Sequence, residues 1–441
     1  MTPAVQEGEI KLGRFLRLWA PLEAAWLLMA MEGQFLAAVL ARMPHPVYNL
    51  AAFGVAFGFG MLFESPIILI MSAATALVEN RDSLRKLRTF TYGLNAVITL
   101  GLALFVCPPV YRAVTETIMG LPTEVARLAH PACVLLLPWP AAIGYRRFYQ
   151  GILVRTGHTR RIAYGTTLRL SAMSATALLL ATLTRMPGAW IGTAALSAGV
   201  VMEAAASRFW AREPVRRLQA TPASAEYQKR PLDYRGIAHF YLPLALTSVL
   251  TLGVNPLISF FLGRSRMPLE SLAVMPVVNG LIFAFNTAGL TFQEVTITLF
   301  SLERGCYREL RRFAGWLALL TVAGLALMVF TPLLDLWLRQ VAGLSPGLAR
   351  FAWRPVAIVI ALPAITVLTC FQRGLLVAMR NTPPITWSTG VEVAGIAATL
   401  FALTRYGGWI GALAAVTAMV AGRSAAMVYL LPQTARALGD G

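Results

Sequence analysis

The feature that most limits how this chain can fold is a series of twelve long apolar runs. Each run is about 20 residues or longer, which is the length a helix needs to cross the hydrocarbon layer of a membrane. Only 13% of the residues are charged, against about 25% in soluble proteins. The sequence therefore predicts an all-α polytopic membrane protein with about twelve transmembrane helices. The runs cover residues 16–40, 48–76, 90–113, 126–151, 162–184, 189–210, 237–262, 270–300, 313–338, 350–377, 385–404 and 408–431.

The lysines and arginines are distributed unevenly between alternate loops. Of the 38, 23 lie in the segments on the same side as the N-terminus and 9 in the loops on the opposite side. Because cytoplasmic loops carry an excess of Lys and Arg, we expect both termini to be cytoplasmic, in a cell inner or plasma membrane. Topology explains the net charge of +18, so we predict the lipid bilayer as a partner and no nucleic acid.

The two halves of the chain match each other at a nearly constant spacing, which indicates an internal duplication. Each half holds an even number of spans, so both enter the membrane in the same direction and form a parallel repeat. We predict an N-terminal six-helix bundle at 1–212, a cytoplasmic linker at 213–235 and a C-terminal six-helix bundle at 236–441, around a central cleft. Matched pairs include Pro21 with Pro243, Phe90 with Phe313, and Trp190 with Trp409, at offsets of 222, 223 and 219.

Two large transporter groups have this six-plus-six organisation, the major facilitator group and the multidrug/oligosaccharidyl-lipid/polysaccharide (MOP) exporter superfamily. The loop after the second span, "ENRDSLRKLRTF", does not have the Gly-x-x-x-Asp-Arg-x-Gly-Arg pattern of the first group. The chain resembles the second, which contains the MATE antiporters, and within it the progressive ankylosis protein family. The resemblance is carried by "EGQ" at 32–34, "LAAFGVAFGFGMLFESP" at 50–66, "GILVRTGHT" at 151–159 and "NPLISFFLGRS" at 255–265.

This resemblance implies a MATE-like fold and a secondary active transporter. The implied function is export of a small organic, anionic solute by alternating access coupled to H⁺ or Na⁺. The ankylosis family is associated with efflux of pyrophosphate-related metabolites, nucleotides and citrate, but the sequence departs from it at Arg146 and Arg147, so the substrate is not carried over. A flippase for a lipid-linked saccharide and a cationic-drug/H⁺ antiporter remain alternatives within transport.

From a different class, an intramembrane enzyme or a scaffold for a biosynthetic complex also remains open. The chain has neither a phosphate-binding Gly loop nor a Gly-x-Ser-x-Gly elbow, and its four histidines are scattered without metal spacing. We therefore predict that it is not an enzyme, with no catalytic residue and no metal site. We expect no cofactor beyond H⁺ or Na⁺ as a coupling ion, a small-molecule substrate and a monomeric state.

Ionisable side chains within the apolar runs are the candidates for function, because each costs about 2.5–3.5 kcal/mol on insertion scales. We predict that Glu32, Glu64 and Gln34 form the ion-coupling site, since a buried carboxylate can bind and release a proton. The Ser65-Pro66 pair after Glu64 interrupts the helix and frees carbonyl oxygens that could coordinate Na⁺. The full set is Glu23, Glu32, Glu64, Glu203, Glu294, Glu392, Arg146, Arg147, Arg169, Arg354, Arg373 and Arg423.

Buried arginines and amides are the predicted substrate-binding groups, because guanidinium groups pair bidentately with carboxylate and phosphate. The alternative for the arginines is snorkelling or pairing with Glu203, and for the amides it is hydrogen bonding between helices. Adjacent arginines cannot share a helix face, so we expect only one of Arg146 and Arg147 to face the cleft. The predicted set is Arg146, Arg169, Gln150, Asn255, Asn279, Asn286, Arg373 and Arg423.

Overall fold

A computed structural model of the chain describes residues 12–158, 160–222, 227, 231–302, 304–379 and 381–439. These residues are almost entirely helical, as the apolar runs predict, because a helix satisfies all its backbone hydrogen bonds within one segment. The helices of the N-terminal half are α1 Leu12–Ala41, α2 Pro46–Glu64, α3 Ile70–Leu77, α4 Arg81–Phe105, α5 Pro108–Arg112, α6 Thr123–Leu135, α7 Pro138–Arg155, α8 Arg160–Leu183, α9 Gly188–Trp210 and α10 Arg212–Ala220.

The second half repeats this order of long and broken helices. Its helices are α11 Tyr234–Leu252, α12 Val254–Gly263, α13 Pro268–Leu302, α14 Tyr307–Phe330, α15 Leu333–Leu336, α16 Pro346–Ile358, α17 Leu362–Ala378, α18 Pro383–Arg405 and α19 Gly411–Gly439. Within the described residues, eleven helices are long and apolar enough to cross a membrane, and a shorter apolar stretch at Trp26–Ala41 lies in α1. Each of the twelve predicted spans therefore falls on a helix.

The predicted start of the third span is wrong by several residues. We expected it at 90–113, but α4 begins at Arg81 and ends at Phe105. Asn80 and Ser83 form a reciprocal capping box that fixes this start. The basic stretch 81–89, which we expected to be a loop, therefore forms the first turns of α4. Hydropathy alone does not detect these turns because they are polar.

Two π-helical segments mark equivalent places in the two halves. Residues Ala113–Ile118 and Trp337–Val341 each follow a short helix after the third span of their half. Each is followed by a glycine with positive φ, Gly120 at 66° and Gly343 at 75°. Such a φ is unfavourable for residues with a Cβ atom. The spacing of the two glycines equals that of Phe90 and Phe313, so the repeat is also present in the backbone.

A pair of long-range caps fixes the repeat offset at the last span. The side-chain oxygen of Asn49 accepts a hydrogen bond from the backbone N–H of Ala189 at 2.9 Å. In the second half the hydroxyl of Ser271 accepts one from the backbone N–H of Ala412 at 3.0 Å. Each contact holds the start of the last span against the second span of its half. The two acceptors have the same spacing as Pro21 and Pro243, and the two donors are one position further apart.

The offset of 219 taken from the tryptophans is therefore wrong. Trp190 lies in the first turn of α9, which begins at Gly188. Trp409 instead precedes α19, which begins at Gly411. The identical letters around the two tryptophans reflect similar composition at a helix start, and the packing does not align them.

Contacts divide the chain into two compact units. One consists of the chain as far as Ala38 together with the residues from Ser265 onward, and the other is Val39–Arg264. The predicted bundles 1–212 and 236–441 describe the sequence repeat, whereas in the packed units the first span of each half belongs with the other half. Hydropathy predicts the order of helices but not the partners against which each one packs.

Part of the predicted linker at 213–235 is helical. Helix α10 covers Arg212–Ala220 and buries Pro214, Val215 and Leu218 while its charged residues face outward. Within the linker, residues 223–226 and 228–230 lie outside the described part of the chain. The described part is thus an amphipathic helix packed on its own unit.

Candidate functional site

Three helices of the Val39–Arg264 unit bring together four buried polar side chains, one of which is a carboxylate. Arg146 and Gln150 lie one turn apart on α7, Arg169 lies on α8 and Glu203 on α9. One oxygen of Glu203 accepts a hydrogen bond from Nη1 of Arg146 and lies 3.2 Å from Nε of Arg169. The other accepts a hydrogen bond from Nε2 of Gln150 at 3.0 Å. We call these four residues the Glu203 cluster.

The unit that begins again at Ser265 holds a second cluster of similar composition. Oε1 of Glu392 accepts a hydrogen bond from Nε of Arg423 at 3.0 Å, and Oε2 lies 3.4 Å from Nη2 of Arg373. Arg423 also donates through Nη1 to the hydroxyl of Thr366 at 3.0 Å. That hydroxyl lies 3.0 Å from Oδ1 of Asn286. We call Glu392, Arg373, Arg423, Thr366 and Asn286 the Glu392 cluster.

Close helix packing places both clusters at the same point of the repeat. A methyl group on Gly199 of α9 would lie 2.9 Å from the backbone oxygen of Arg169. A methyl group on Gly422 of α19 would lie 2.6 Å from the backbone oxygen of Glu392. Glycine allows the two helices of each pair to approach this closely. The two glycines have the same spacing in the sequence as Arg169 and Glu392, so these two residues occupy equivalent places with opposite charge.

Each cluster contains two arginines for one carboxylate, which leaves a net charge of +1. A guanidinium group stays protonated in proteins, and a buried cation without an anionic partner is costly. Within the described residues several buried polar atoms of these helices also have no hydrogen-bond partner. They include Nε of Arg146, Oε1 of Gln150, Oε1 of Gln372 and Nε of Arg373. Each cluster therefore has more guanidinium groups than carboxylates, and some of its hydrogen-bonding atoms have no partner among the described residues.

The structure brings together most, but not all, of the predicted substrate-binding residues. Arg146, Arg169 and Gln150 meet in the Glu203 cluster, whereas Arg373, Arg423 and Asn286 meet in the Glu392 cluster. Pairing with Glu203, the alternative for the first two arginines, is observed.

Two predicted amides and one arginine lie apart from these contacts. Arg147 faces Met71, with 3.9 Å between Nη1 and the sulfur, so the two adjacent arginines do point in different directions. Asn255 packs beside Gly58, and Oδ1 of Asn279 has no hydrogen-bond partner within the described residues. Neither amide hydrogen-bonds to the clusters in the part of the chain that the structure describes.

Glu64, a predicted coupling residue, ends α2 and is buried. Its Oε2 accepts a hydrogen bond from the indole N–H of Trp139 at the start of α7. The helix breaks after Glu64 and resumes at Ile70, as the Ser65-Pro66 pair predicts. A buried carboxylate with a neutral donor beside it is suited to exchange a proton.

The expectation of free backbone oxygens at this break is wrong at two positions. The carbonyl of Pro66 accepts a hydrogen bond from the Tyr241 hydroxyl at 2.7 Å. The carbonyl of Leu62 accepts one from the Ser65 hydroxyl at 2.6 Å. Side chains with hydroxyl groups thus give these two oxygens of the break a hydrogen-bond partner.

Glu32 and Gln34, the other predicted coupling residues, lie on α1. Glu32 is half-buried. Gln34 is buried, and neither its Nε2 nor its Oε1 has a hydrogen-bond partner in the described chain. A methyl group on Gly280 of α13 would lie only 2.1 Å from Nε2 of Gln34, so the glycine makes room for this amide. Both residues belong to the unit that continues from Ser265, whereas Glu64 belongs to the Val39–Arg264 unit.

Glu23 is a carboxylate that was visible in the sequence but not assigned to the coupling site. It is buried, and its two oxygens lie 2.7 Å from the hydroxyls of Thr287 and Thr291 on α13. Each threonine hydroxyl also lies within 3.1 Å of a backbone carbonyl of its own helix. Because a hydroxyl has one proton, it can donate either to Glu23 or to that carbonyl. Thr287 and Thr291 are four residues apart and so lie on the same face of a helix. This spacing is the signal in the sequence that could have identified the contact.

The ionisable groups of the described spans are arranged mainly in carboxylate–arginine and carboxylate–hydroxyl contacts. The same part of the chain contains no group of three or more His, Cys, Asp and Glu side chains placed to hold a metal ion. The chemistry that these contacts offer is therefore proton exchange at carboxylates and anion binding at guanidinium groups.

Neither a model of a protein family nor a curated protein sequence matches the chain. Solved structures do. A MATE family multidrug resistance transporter of the MOP superfamily in an inward-facing conformation matches with a TM-score of 0.72 and 13% identity, over 94% of this chain and 95% of that one. The Lipid II flippase MurJ in an inward closed conformation matches with a TM-score of 0.72 and 13% identity, over 94% of this chain and 87% of that one.

A third similar structure is a MOP superfamily transporter from Pyrococcus furiosus. It matches with a TM-score of 0.58 and 15% identity, over 96% of this chain and 95% of that one. In that protein, reverse polarity of the binding pocket suggests a different function. These likenesses show that the chain has the fold of MATE-type proteins of the MOP superfamily, which confirms the predicted fold class. The narrower resemblance to the ankylosis family stays a prediction.

Proposed function

We propose that this chain is a secondary active transporter that exports a small organic anion by alternating access, driven by a gradient of H⁺ or Na⁺. The observation that supports this most directly is the excess of arginine over carboxylate in the Glu203 and Glu392 clusters. The fold supports it too, since the similar structures are those of transporters and a flippase. In this proposal the chain is a monomer in the cell inner membrane with both termini in the cytoplasm.

An anion is the substrate that these clusters favour. A cationic drug would add positive charge next to arginines that already exceed their carboxylates, and like charges in a low-dielectric site repel strongly. A carboxylate or phosphate group would instead neutralise the excess charge and use the free N–H donors. Arginine also binds both groups bidentately, which gives direction to the contact.

We assign the substrate contact to the Glu392 cluster and a structural role to the Glu203 cluster. The Glu203 side chain is 1% exposed, whereas the Glu392 side chain is 14% exposed and Arg423 25%. A group that must meet a solute needs such access. The tighter Glu203 cluster has the closed geometry of a buried ion pair that holds helices together.

Coupling is proposed at carboxylates outside both clusters. Glu64 would take up a proton beside the Trp139 indole, and Glu32 and Gln34 stay candidates on α1. Glu23 is a further candidate because its ionised form can accept hydrogen bonds from both Thr287 and Thr291, while its protonated form donates to one of them and lets that hydroxyl donate to its own helix. A proton would thus change how α1 is held against α13.

Metabolite profiling of the medium tests export and coupling together. Cells producing the wild-type chain should release at least one anionic metabolite more strongly than cells producing Glu64→Gln or Glu23→Gln, at equal amounts of protein in the membrane. Glu294→Gln is the matched control because Glu294 is exposed on α13, and it should export like the wild type. If no solute differs between wild type and either variant, the proposed coupling roles fail.

A flippase for a lipid-linked saccharide is the second candidate function. The likeness to MurJ favours this function, because the TM-score with MurJ equals that with the MATE protein. A flippase of this kind would also use basic groups to bind the phosphates of its lipid. An assay with a fluorescent lipid-linked pyrophosphate in proteoliposomes distinguishes the flippase from the anion exporter. A quencher added outside reaches only the lipid in the outer leaflet, so a flippase makes more of the fluorescence accessible to it. Such an increase that depends on the protein, with no flux of soluble anions, would replace our proposal with this one.

A further inference from the structure

A half-open cavity of about 260 Å³ lies in the unit that begins at Ser265, apart from the Glu392 cluster. It is formed where the end of α15 and the π-helical segment Trp337–Val341 face the first turns of α16. These elements connect the ninth and tenth spans on the membrane face opposite the basic loops. The cavity is lined by Asp335, Leu338, Ala349, Arg350, Trp353 and Arg354.

Two arginines on α16 give this cavity a positive charge that forms no ion pair within the described residues. Arg350 and Arg354 are one helical turn apart and therefore share a face. Arg354 has no hydrogen bond or ion pair with any described residue, and Arg350 donates only to the carbonyl of Pro346 at 3.4 Å. The one acidic lining residue, Asp335, is already paired with Arg339 at 2.6 Å.

The length of the tenth span places the two arginines at the level of lipid phosphates when the span is centred in the hydrocarbon layer. The span Pro346–Ala378 has 33 residues, so it is about 50 Å long and extends roughly 10 Å beyond the hydrocarbon layer at each end. Arg350 lies about 6 Å and Arg354 about 12 Å along the helix from its start. Both guanidinium groups thus lie near the boundary between headgroups and hydrocarbon. Trp353, with an exposed side chain, is typical of this level.

The N-terminal half shows that the repeat does not require such a site. At the equivalent position of Arg350 it has Arg127, which pairs with Glu124 at 3.2 Å. At the equivalent positions of Trp353 and Arg354 it has His130 and Pro131. The second arginine and the free charge are therefore particular to the C-terminal half.

We propose that this cavity binds the phosphate headgroup of an anionic phospholipid from the leaflet opposite the basic loops. Arg350 and Arg354 hold the phosphate with charge-assisted hydrogen bonds, while Trp353 packs against the glycerol and upper acyl region. A lipid bound here would tie the lipid layer to the start of the tenth span. That span continues as α17, which carries Arg373.

Native mass spectrometry of the purified, delipidated full-length chain tests this site. Phosphatidylglycerol and phosphatidylcholine are each titrated onto wild type, Arg350→Gln/Arg354→Gln and the matched control Arg127→Gln. We expect wild type and control to bind one phosphatidylglycerol molecule about tenfold more tightly than the double variant does. At lipid concentrations between the two affinities, the double variant should therefore carry one lipid fewer. Phosphatidylcholine should bind more weakly, because its choline group offsets the phosphate charge.

Two results would overturn the proposal. Equal binding of phosphatidylglycerol by wild type and the double variant would show that the arginines hold no lipid. Full displacement of the lipid by millimolar inorganic phosphate would show a site for free anions instead. If the double variant does not fold, Arg354→Lys replaces it. The lysine keeps the charge but loses the bidentate geometry. This variant should bind phosphatidylglycerol more weakly than wild type does, without losing binding entirely.

Discussion

The two halves of the molecule place a polar cluster at the same point of the repeat but build it with charges in different positions. Arg169 in the first half and Glu392 in the second each present a backbone oxygen to an equivalent glycine. Around them, the first half puts its carboxylate on α9 and the second on α18. Both clusters nevertheless contain two arginines and one glutamate.

This difference indicates that the net charge of the cluster is retained while the individual residues are exchanged. A purely structural ion pair requires only that charges balance, whereas each cluster holds one more arginine than carboxylate. The second cluster is also the more accessible one and adjoins the polar side chains of Thr366 and Asn286. We infer that duplication produced two similar sites, one specialised for packing and the other for contact with solute.

Removal of each central carboxylate should have the largest effect and should separate the two roles. Glu203→Gln leaves two buried arginines without a carboxylate, and we expect a loss of about 3–5 kcal/mol in the free energy of unfolding. Glu392→Gln should cost less, because its partners are more accessible to water. Thermal unfolding of purified protein in detergent measures both, with Glu294→Gln as the exposed control. Equal destabilisation by the two cluster variants would contradict the assignment of roles.

Addition of a methyl group at each equivalent glycine should have a smaller and symmetrical effect. Gly199→Ala and Gly422→Ala force apart helices that touch through backbone atoms, which costs typically about 1–3 kcal/mol for each. Gly390→Ala on α18 is the matched control, because nothing lies within 4 Å of its added methyl. It should leave stability unchanged or raise it. If only one of the two cluster glycines is sensitive, the equivalence of Arg169 and Glu392 does not hold.

Much of this fold could be predicted from the sequence, because lipid imposes simple rules on a spanning helix. Length and apolarity located every span, and the Ser65-Pro66 break was predicted from proline chemistry. The exact helix starts were less accessible: the Asn80 cap extends α4 into a basic stretch that hydropathy assigns to a loop. The exchange of the first spans between units depends on which apolar surfaces fit, and small differences in packing decide that in a membrane.

The candidate site was predicted in its composition but not in its arrangement. Arg146, Arg169, Arg373 and Arg423 stand out because charge is costly in an apolar run. Their division into two clusters depends on which helix face each one occupies, and on a carboxylate from a helix distant in sequence. Glu392 was visible as an ionisable residue, but nothing in the sequence indicated that it lies between two arginines.

The most direct measurement is uptake of a panel of radiolabelled organic carboxylates and phosphates into proteoliposomes under an imposed pH or Na⁺ gradient. We predict saturable uptake of at least one of them by the wild-type chain. Uptake should fall at least tenfold in Arg373→Gln/Arg423→Gln and persist in Arg405→Gln, whose arginine is exposed at the end of α18. Uptake that is the same in wild type and the cluster variant would contradict the claim that the arginines of the Glu392 cluster bind the transported anion.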